Sequence, residues 1–148
     1  MRAVEWPPPS DPSDAGAAAE GQPGRSEATR IIVADDDSDI RALLGAIVER
    51  EEGFELVGSA ADTEEAVNVA REKQPDVVIL DWMMPGGGGA VAASQISHAV
   101  PNARIIGITA GDAATAEYEM GTHGAVAFLQ KGFSAAELVA TIRSALRW

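Results

Sequence analysis

The chain has 148 residues, with 23 Asp and Glu against 11 Lys and Arg, so its formal net charge at pH 7 is −12. A surface this acidic repels phosphate backbones and anionic lipid headgroups, which argues against direct nucleic-acid binding and against a polybasic membrane anchor. Because the chain contains no cysteine, it cannot form disulfides or thiolate metal sites, and we expect it to reside in a reducing cytoplasm.

Residues 1–28 differ in composition from the rest of the chain. They are rich in Pro, Ala and Gly and contain almost no large aliphatic side chains, which predicts a disordered tail. Pro7, Pro8 and Pro9 stand where a signal peptide needs an apolar segment, and no aliphatic stretch is long enough to span a bilayer. Residues 29–148 are sufficient for one α/β domain.

Short apolar runs alternate with amphipathic segments in this domain, which is typical of βα units around a parallel sheet. The predicted strands are Arg30–Ala34, Phe54–Ala60, Asp76–Leu80, Arg104–Ile108 and Ala125–Leu129. The predicted helices follow Asp37, cover Thr63–Lys73, Ala90–Ala99 and, weakly, Asp112–Met120, and begin again at Ser134. These units predict a flavodoxin-like doubly wound (βα)5 fold with a five-stranded parallel sheet of order 2-1-3-4-5.

Polar side chains with related chemistry end the predicted strands. The acids Asp35-Asp36-Asp37 follow the first strand, Asp81 the third, Thr109 the fourth, and Lys131 lies just beyond the fifth. The carboxyl ends of parallel strands meet at one edge of the sheet, where clustered carboxylates repel one another unless a cation is bound. A hard ion such as Mg²⁺ suits oxygen ligands. Thr109 and Lys131 are suited to contact phosphoryl oxygens.

Four segments give the chain a family resemblance. They are Ile31–Arg41, Asp76–Gly86, Ile105–Ala110 and Phe128–Lys131. Over residues 30–148, in order and spacing, the chain resembles the receiver domain of two-component response regulators.

The resemblance implies a function in phosphoryl transfer. Asp81 would be the phosphoacceptor, taking the group from a phosphohistidine of a partner histidine kinase, from a phosphotransfer protein, or from a small acyl phosphate. Mg²⁺ would be bound directly by Asp36, Asp81 and the backbone carbonyl of Met83, and through a water by Asp35. Such a protein is a signalling phosphoacceptor that catalyses only its own phosphorylation and dephosphorylation.

The resemblance also implies a switch. Thr109 and Lys131 would hold the phosphoryl oxygens, and their reorientation would draw in the ring of Phe128. The surface that responds would be the fourth helix, fifth strand and fifth helix, roughly Asp112–Trp148. We expect it to bind a downstream protein target or a second copy of the chain, and neither nucleic acid nor a membrane.

Several residues depart from the family pattern. Phe128 replaces the usual Tyr, and Gly132 replaces a Pro that often follows the lysine in a cis peptide. The run Gly86–Gly89 predicts an unusually free loop beside Asp81. Because the chain stops at Trp148, where the last helix should end, we expect no output domain.

Two alternatives remain open. In a phosphatase of the haloacid dehalogenase type, Asp35 would be the nucleophile and Asp37 the general acid, with Thr109 and Lys131 assisting. For such a phosphatase, Asp at position 39 is atypical, and the motif around Asp81 would have no role. A phosphorylation-independent interaction module is the other alternative, although all five pocket residues are present.

The remaining polar residues have simpler interpretations. Asp37 and Asp39 are expected to cap the first helix or to favour its positive end. Trp82 is expected to pack beside the site because it follows Asp81. His98 and His123 match no catalytic context and receive no role.

Overall fold

The computed structural model describes residues 28–111, 118–119 and 121–147. Apart from its last residue, the tail expected over residues 1–28 lies outside the described residues. Most of the weak helix expected over Asp112–Met120 lies outside them as well, and residues 118–119 and 121–122 are helical. None of the helices in the described ranges is long and apolar enough to cross a lipid bilayer.

Strands and helices alternate along the described chain. The strands are β1 (Thr29–Ala34), β2 (Phe54–Ala60), β3 (Val77–Asp81), β4 (Arg104–Thr109) and β5 (Ala125–Gln130). The helices are α1 (Ser38–Arg50), α2 (Thr63–Lys73), α3 (Gly88–Ala99) and α4 (Ala135–Ala145). All strand pairs are parallel and their order is β2-β1-β3-β4-β5, which confirms the predicted flavodoxin-like sheet.

The sheet separates two apolar clusters because side chains alternate between its faces. On one face, Ile32 and Leu80 pack with residues of α2 and α3. On the other face, Ile31 and Ile79 pack with residues of α1 and α4. Every residue of β3 is buried, as expected for a central strand that helices cover on both sides.

The amino end of α1 follows the expected capping pattern. Asp37 is the N-cap, and its carboxylate accepts hydrogen bonds from the backbone N–H groups of Asp39 and Ile40 at 2.9 and 3.3 Å. Asp39 lies in the first turn, where an acid favours the positive end of the helix dipole. Leu43 shares the apolar spacing of α1, yet it is 57% exposed.

The glycine run differs from the free loop that the sequence predicts. Helix α3 begins at Gly88, two residues before the predicted start at Ala90. Gly86, Gly87 and Gly88 have φ values of +91°, +119° and +78°, a region that favours glycine. Gly89 lies inside the helix and close to β3, so this end of the run is fixed by packing.

Candidate functional site

Three carboxylates meet at the carboxyl edge of β1 and β3. The parallel register pairs Ala34 with Leu80. The residues that follow them in the chain, Asp35 and Asp81, are therefore neighbours. Asp36 joins them, and one carboxylate oxygen from each of the three residues lies within 4.8 Å of the others. Asp35 and Asp81 are buried, whereas Asp36 is exposed.

Asp35 has one satisfied and one unsatisfied carboxylate oxygen. Its Oδ1 accepts a hydrogen bond from the backbone N–H of Asp37 at 2.9 Å. Its Oδ2 is buried and has no hydrogen-bond partner among the described residues, and the nearest cation is the Nζ of Lys131 at 3.6 Å. A buried carboxylate oxygen without a donor is costly unless a positive charge compensates it.

Asp81 is held in an environment that disfavours its charged form. Burial raises the pKa of Asp81 from 3.8 to about 6, and the negative charge of Asp35 acts in the same direction. The backbone N–H of Met83, which donates to Asp81 Oδ1 at 3.2 Å, and the Nζ of Lys131, at 3.8 Å, lower the pKa of Asp81 but do not cancel the effect of burial.

Lys131 connects the ends of β4 and β5 to this cluster. Its backbone N–H donates to the carbonyl of Thr109 at 2.7 Å, which places the ammonium group beside Asp35 and Asp81. Gly132 follows with φ +106°, a conformation that a proline in its place could not adopt. The turn after Lys131 therefore depends on glycine.

Thr109 and Phe128 occupy the neighbouring strands. Thr109 ends β4, is 3% exposed, and its Oγ1 accepts a hydrogen bond from the N–H of Gly111 at 3.0 Å. Phe128 lies in β5, is partly buried, and packs against the apolar cluster on the α2 and α3 face. Met83, by contrast, is 72% exposed beside Asp81. The sheet thus brings the residues singled out in the sequence to one edge.

The acidic cluster is chemically suited to a metal ion. Its donors are all oxygens, and the Oδ2 of Asp35 is a buried donor that no N–H group in the described ranges satisfies. Repulsion among the carboxylates falls when a divalent cation binds between them. These residues therefore fit a hard cation with oxygen ligands.

Comparisons with known proteins identify the family. The family model for the response regulator receiver domain matches residues 31–143. The chain belongs to the response regulator receiver family.

A transcriptional regulatory protein, PdtaR of Mycobacterium tuberculosis, is 38% identical over 117 residues, which are 79% of this chain and 56% of PdtaR. LiaR of Bacillus subtilis is 34% identical over 116 residues, covering 78% of this chain and 55% of LiaR. The receiver domain thus spans about half the length of these relatives.

Solved structures support the same assignment. The response regulator domain of Thermotoga maritima CheB has a TM-score of 0.76 and 31% identity, covering 82% of this chain and 98% of that one. A chain of the CheX-CheY-BeF3-Mg complex of Borrelia burgdorferi has a TM-score of 0.73 and 30% identity, covering 78% of this chain and 87% of that one. The receiver fold therefore extends over the described part of the chain.

Three tertiary contacts of polar side chains are not predicted by the sequence pattern, and two of them involve the site or its chain neighbour. Nη1 of Arg41 in α1 donates to the backbone carbonyl of Asp35 at 2.7 Å. Nε1 of Trp82, which is buried as expected, donates to Oε1 of Glu119 at 2.6 Å. Nδ1 of His123 lies 3.0 Å from Oγ of Ser94. Charged or polar residues on amphipathic segments resemble a solvated face, so periodicity gives no signal for such tertiary partners.

Proposed function

We propose that this receiver domain accepts a phosphoryl group on Asp81 in a two-component phosphorelay. The observation that supports it best is the arrangement of Asp81 beside a second buried carboxylate, Asp35, with the Nζ of Lys131 at 3.8 and 3.6 Å from the two. A nucleophilic carboxylate next to a fixed cation is suited to binding and transferring an anionic group. Receiver domains are signalling phosphoacceptors, and this one is not expected to turn over a separate substrate.

The transfer is a displacement at phosphorus. A carboxylate oxygen of Asp81 forms the new P–O bond while the P–N bond to the imidazole of a phosphohistidine breaks. The nitrogen keeps the electron pair and takes a proton from solvent. With a small acyl phosphate, the P–O bond to the acyl group breaks instead, and a carboxylate leaves. Lys131 neutralises a phosphoryl oxygen and Thr109 donates a hydrogen bond to another.

The acidic cluster would hold Mg²⁺ through Asp36, Asp81 and the backbone carbonyl of Met83, and through a water at Asp35. A bound Mg²⁺ would supply positive charge to the phosphoryl oxygens during transfer. The unsatisfied Oδ2 of Asp35 and the spacing of the carboxylates support this role. The cation would also stabilise the ionised form of Asp81, which is the nucleophilic form.

Phosphorylation would then change a binding surface. Thr109 reorients toward the phosphoryl group, and Phe128, which lies on the neighbouring strand, moves inward. The surface affected includes the helical segment before β5, β5 itself and α4. A histidine kinase or phosphotransfer protein supplies the group, and a downstream protein or a second copy of residues 29–148 binds the changed surface.

The phosphatase alternative is less well supported by the local contacts. A general acid at Asp37 needs a carboxyl group that is free to reach a leaving group. The carboxylate of Asp37 instead accepts hydrogen bonds from the N–H groups of Asp39 and Ile40 as the N-cap of α1.

Phosphorylation by acetyl phosphate in Mg²⁺ tests the proposal. We expect wild type to gain the mass of one phosphoryl group, and Asp81→Asn to gain none. Asp39→Asn removes an exposed acid nearby and is expected to react like wild type. Phosphorylation of Asp81→Asn would contradict the proposal. So would repeated phosphomonoester turnover that Asp35→Asn abolishes and Asp81→Asn does not.

A further inference from the structure

Arg41 joins helix α1 to the end of strand β1. Its backbone N–H donates to the carbonyl of Asp37 at 2.9 Å, in the first turn of the helix. Its side chain is partly buried and reaches back to the strand, where Nη1 donates to the backbone carbonyl of Asp35 at 2.7 Å. The guanidinium group therefore bridges the short connection between β1 and α1, which consists of residues 35–37.

The two peptide groups that flank the Cα of Asp36 are each held by one hydrogen bond. The peptide group before it contains the carbonyl of Asp35, which accepts from Arg41. The peptide group after it contains the N–H of Asp37, which donates to Oδ1 of Asp35 at 2.9 Å. Because a peptide group is planar, a hydrogen bond to either of its polar atoms restricts the whole plane. The two hydrogen bonds together restrict the backbone of Asp36, and with it the direction of the side chain.

Asp36 is the exposed member of the acidic cluster, whereas Asp35 and Asp81 are buried. Asp81 belongs to β3, and the N–H of Asp35 donates to the carbonyl of Ala60 at 3.0 Å. An exposed side chain on a segment outside the helices and strands loses conformational entropy when it is fixed on a ligand. A backbone that is already restricted in the free protein reduces this cost. The orientation of Asp36 therefore depends on the hydrogen bonds of its neighbours.

We propose that Arg41 is a positioning residue for divalent-cation binding, and that it acts by fixing the peptide group before Asp36. The inference rests on the proposed role of the acidic cluster as a Mg²⁺ site. It concerns the direction of the Asp36 carboxylate, and it assigns to Arg41 no contact with the ion or with the phosphoryl group.

The charge of Arg41 alone would have the opposite effect. A guanidinium group beside the cluster repels a cation, so its removal would tighten cation binding. Removal of a positioning contact weakens cation binding. We expect the positioning effect to be the larger one, because residues that orient metal ligands by hydrogen bonds typically contribute about 10–100-fold to metal affinity, whereas salt screens charges near the surface.

Titration of the full chain with MgCl2, without a phosphoryl donor, measures the affinity. The backbone amide signals of Asp36 and Asp81 report on binding, and KCl keeps the ionic strength constant. We expect Arg41→Met, which has no donor group, to bind Mg²⁺ about tenfold more weakly than wild type. Arg41→Lys keeps the charge and presents its donors on a more flexible stem, so we expect it to bind about two- to fivefold more weakly.

Arg50→Met is the matched control for the loss of charge. Arg50 is exposed in the last turn of α1, about 14 Å further along the helix axis than Arg41. The substitution removes the same group from the same helix, far from the carbonyl of Asp35. We expect its Mg²⁺ affinity to stay within about twofold of wild type.

A double-mutant cycle tests whether Arg41 acts through Asp36. In an Asp36→Ala background the carboxylate that Arg41 orients is gone, so Arg41→Met should change the Mg²⁺ affinity by less than about twofold. A further tenfold loss in this background would overturn the proposal, because Arg41 would then act on another part of the site.

The backbone order parameter of Asp36 gives a measurement that does not depend on the metal. Its N–H belongs to the peptide group whose carbonyl accepts from Arg41. In the metal-free protein we expect this order parameter to fall in Arg41→Met and to stay at the wild-type value in Arg50→Met. The order parameter of Asp81, which lies in β3, should be the same in all three proteins. An unchanged value for Asp36 in Arg41→Met would contradict the positioning role.

The outcomes separate this inference from the proposed function. Equal or tighter Mg²⁺ binding by Arg41→Met would overturn the role of Arg41 and leave the proposed function intact. If Arg41→Met does not fold, Arg41→Lys decides, and wild-type affinity in that variant would overturn the role. If wild type gives no saturable response to MgCl2 beyond that to KCl, the proposed Mg²⁺ site fails, and the role of Arg41 fails with it.

Discussion

Asp81 combines a chemical role with a cost to folding. The buried position that places its carboxylate beside Asp35 and Lys131 also raises its pKa to about 6. An unfolded chain would ionise the same group near its ordinary value of 3.8. Above these values the folded protein must hold a charge that its interior disfavours. The proposed site is therefore a source of instability when no cation occupies it.

The stability of an Asp81→Asn variant tests this cost. Between pH 3.8 and about 6 the folded state binds the Asp81 proton and the unfolded state does not, so the free energy of unfolding falls as pH rises through this window. The full penalty above the window is at most about 3 kcal/mol. At pH 7.5, about 1.5 units above this window, and in EDTA to remove divalent cations, we expect Asp81→Asn to be more stable than wild type by about 1–3 kcal/mol.

Urea unfolding across a pH series provides the measurement. The advantage of Asp81→Asn should shrink as pH falls and disappear below 3.8, where Asp81 is protonated in the folded and the unfolded wild type alike. Asp39→Asn, which removes an exposed acid from the first turn of α1, should show no such gain. A stability difference that does not vary with pH would contradict the assignment of the effect to Asp81.

At the scale of elements, the periodicity of the sequence was sufficient for most boundaries. Phe54–Ala60 and Thr63–Lys73 have the predicted bounds, because an apolar run and an amphipathic segment with one apolar face are strong local signals. The sequence pattern suggests Thr63 as the cap of the helix, whereas the N-cap is Asp62. The start of α3 was missed, because glycine has a low helix propensity and the sequence does not reveal what packs against it. In the fold, Trp82 leaves space only for glycine at position 89.

Gly89→Ala is expected to be strongly destabilising. The new Cβ would lie 2.5 Å from Cε3 and 2.6 Å from Cα of Trp82. The second of these atoms belongs to the backbone directly after β3 and cannot rotate away. We expect the free energy of unfolding to fall by about 1–3 kcal/mol, as for other overpacked sites.

Gly121→Ala is the matched control for this substitution. Gly121 lies in a helical segment, and a Cβ there would have no neighbour within 4 Å among the residues that the structure describes. Because alanine is the better helix former, we expect Gly121→Ala to be neutral or more stable by up to about 1 kcal/mol. Equal stability of Gly89→Ala and wild type in urea unfolding would contradict the close packing of Trp82 on α3.

At the scale of the whole molecule, topology explains what could be predicted about the site. Parallel strands have their carboxyl ends at one edge, so the sequence positions of Asp35, Asp36, Asp81 and Lys131 were enough to bring them together. The bond from Trp82 to Glu119 could not be foreseen. It joins residues 37 apart, and many exposed acids in the sequence are equivalent candidates.

The increase in stability that Mg²⁺ produces measures whether the site residues together bind the ion. If Mg²⁺ binds the folded chain alone, a concentration ten times its dissociation constant should raise the free energy of unfolding by about 1.4 kcal/mol. Asp36→Asn should lose most of this gain because it removes a proposed ligand. Urea unfolding with MgCl2, compared with KCl at the same ionic strength, makes the measurement. An equal gain from KCl would indicate charge screening instead of a metal site.

Lys131 is synthesised after Asp35 and Asp81, which has a consequence for an incomplete chain. Asp35 follows β1 and Asp81 ends β3, both inner strands of the sheet, whereas Lys131 follows the edge strand β5. A nascent or truncated chain that ends before Lys131 has the carboxylates without their cation. Under the proposed chemistry such a chain is poorly suited to hold a phosphoryl group. Incomplete receiver chains would therefore not hold a phosphoryl group and would not compete with complete chains for the phosphoryl donor.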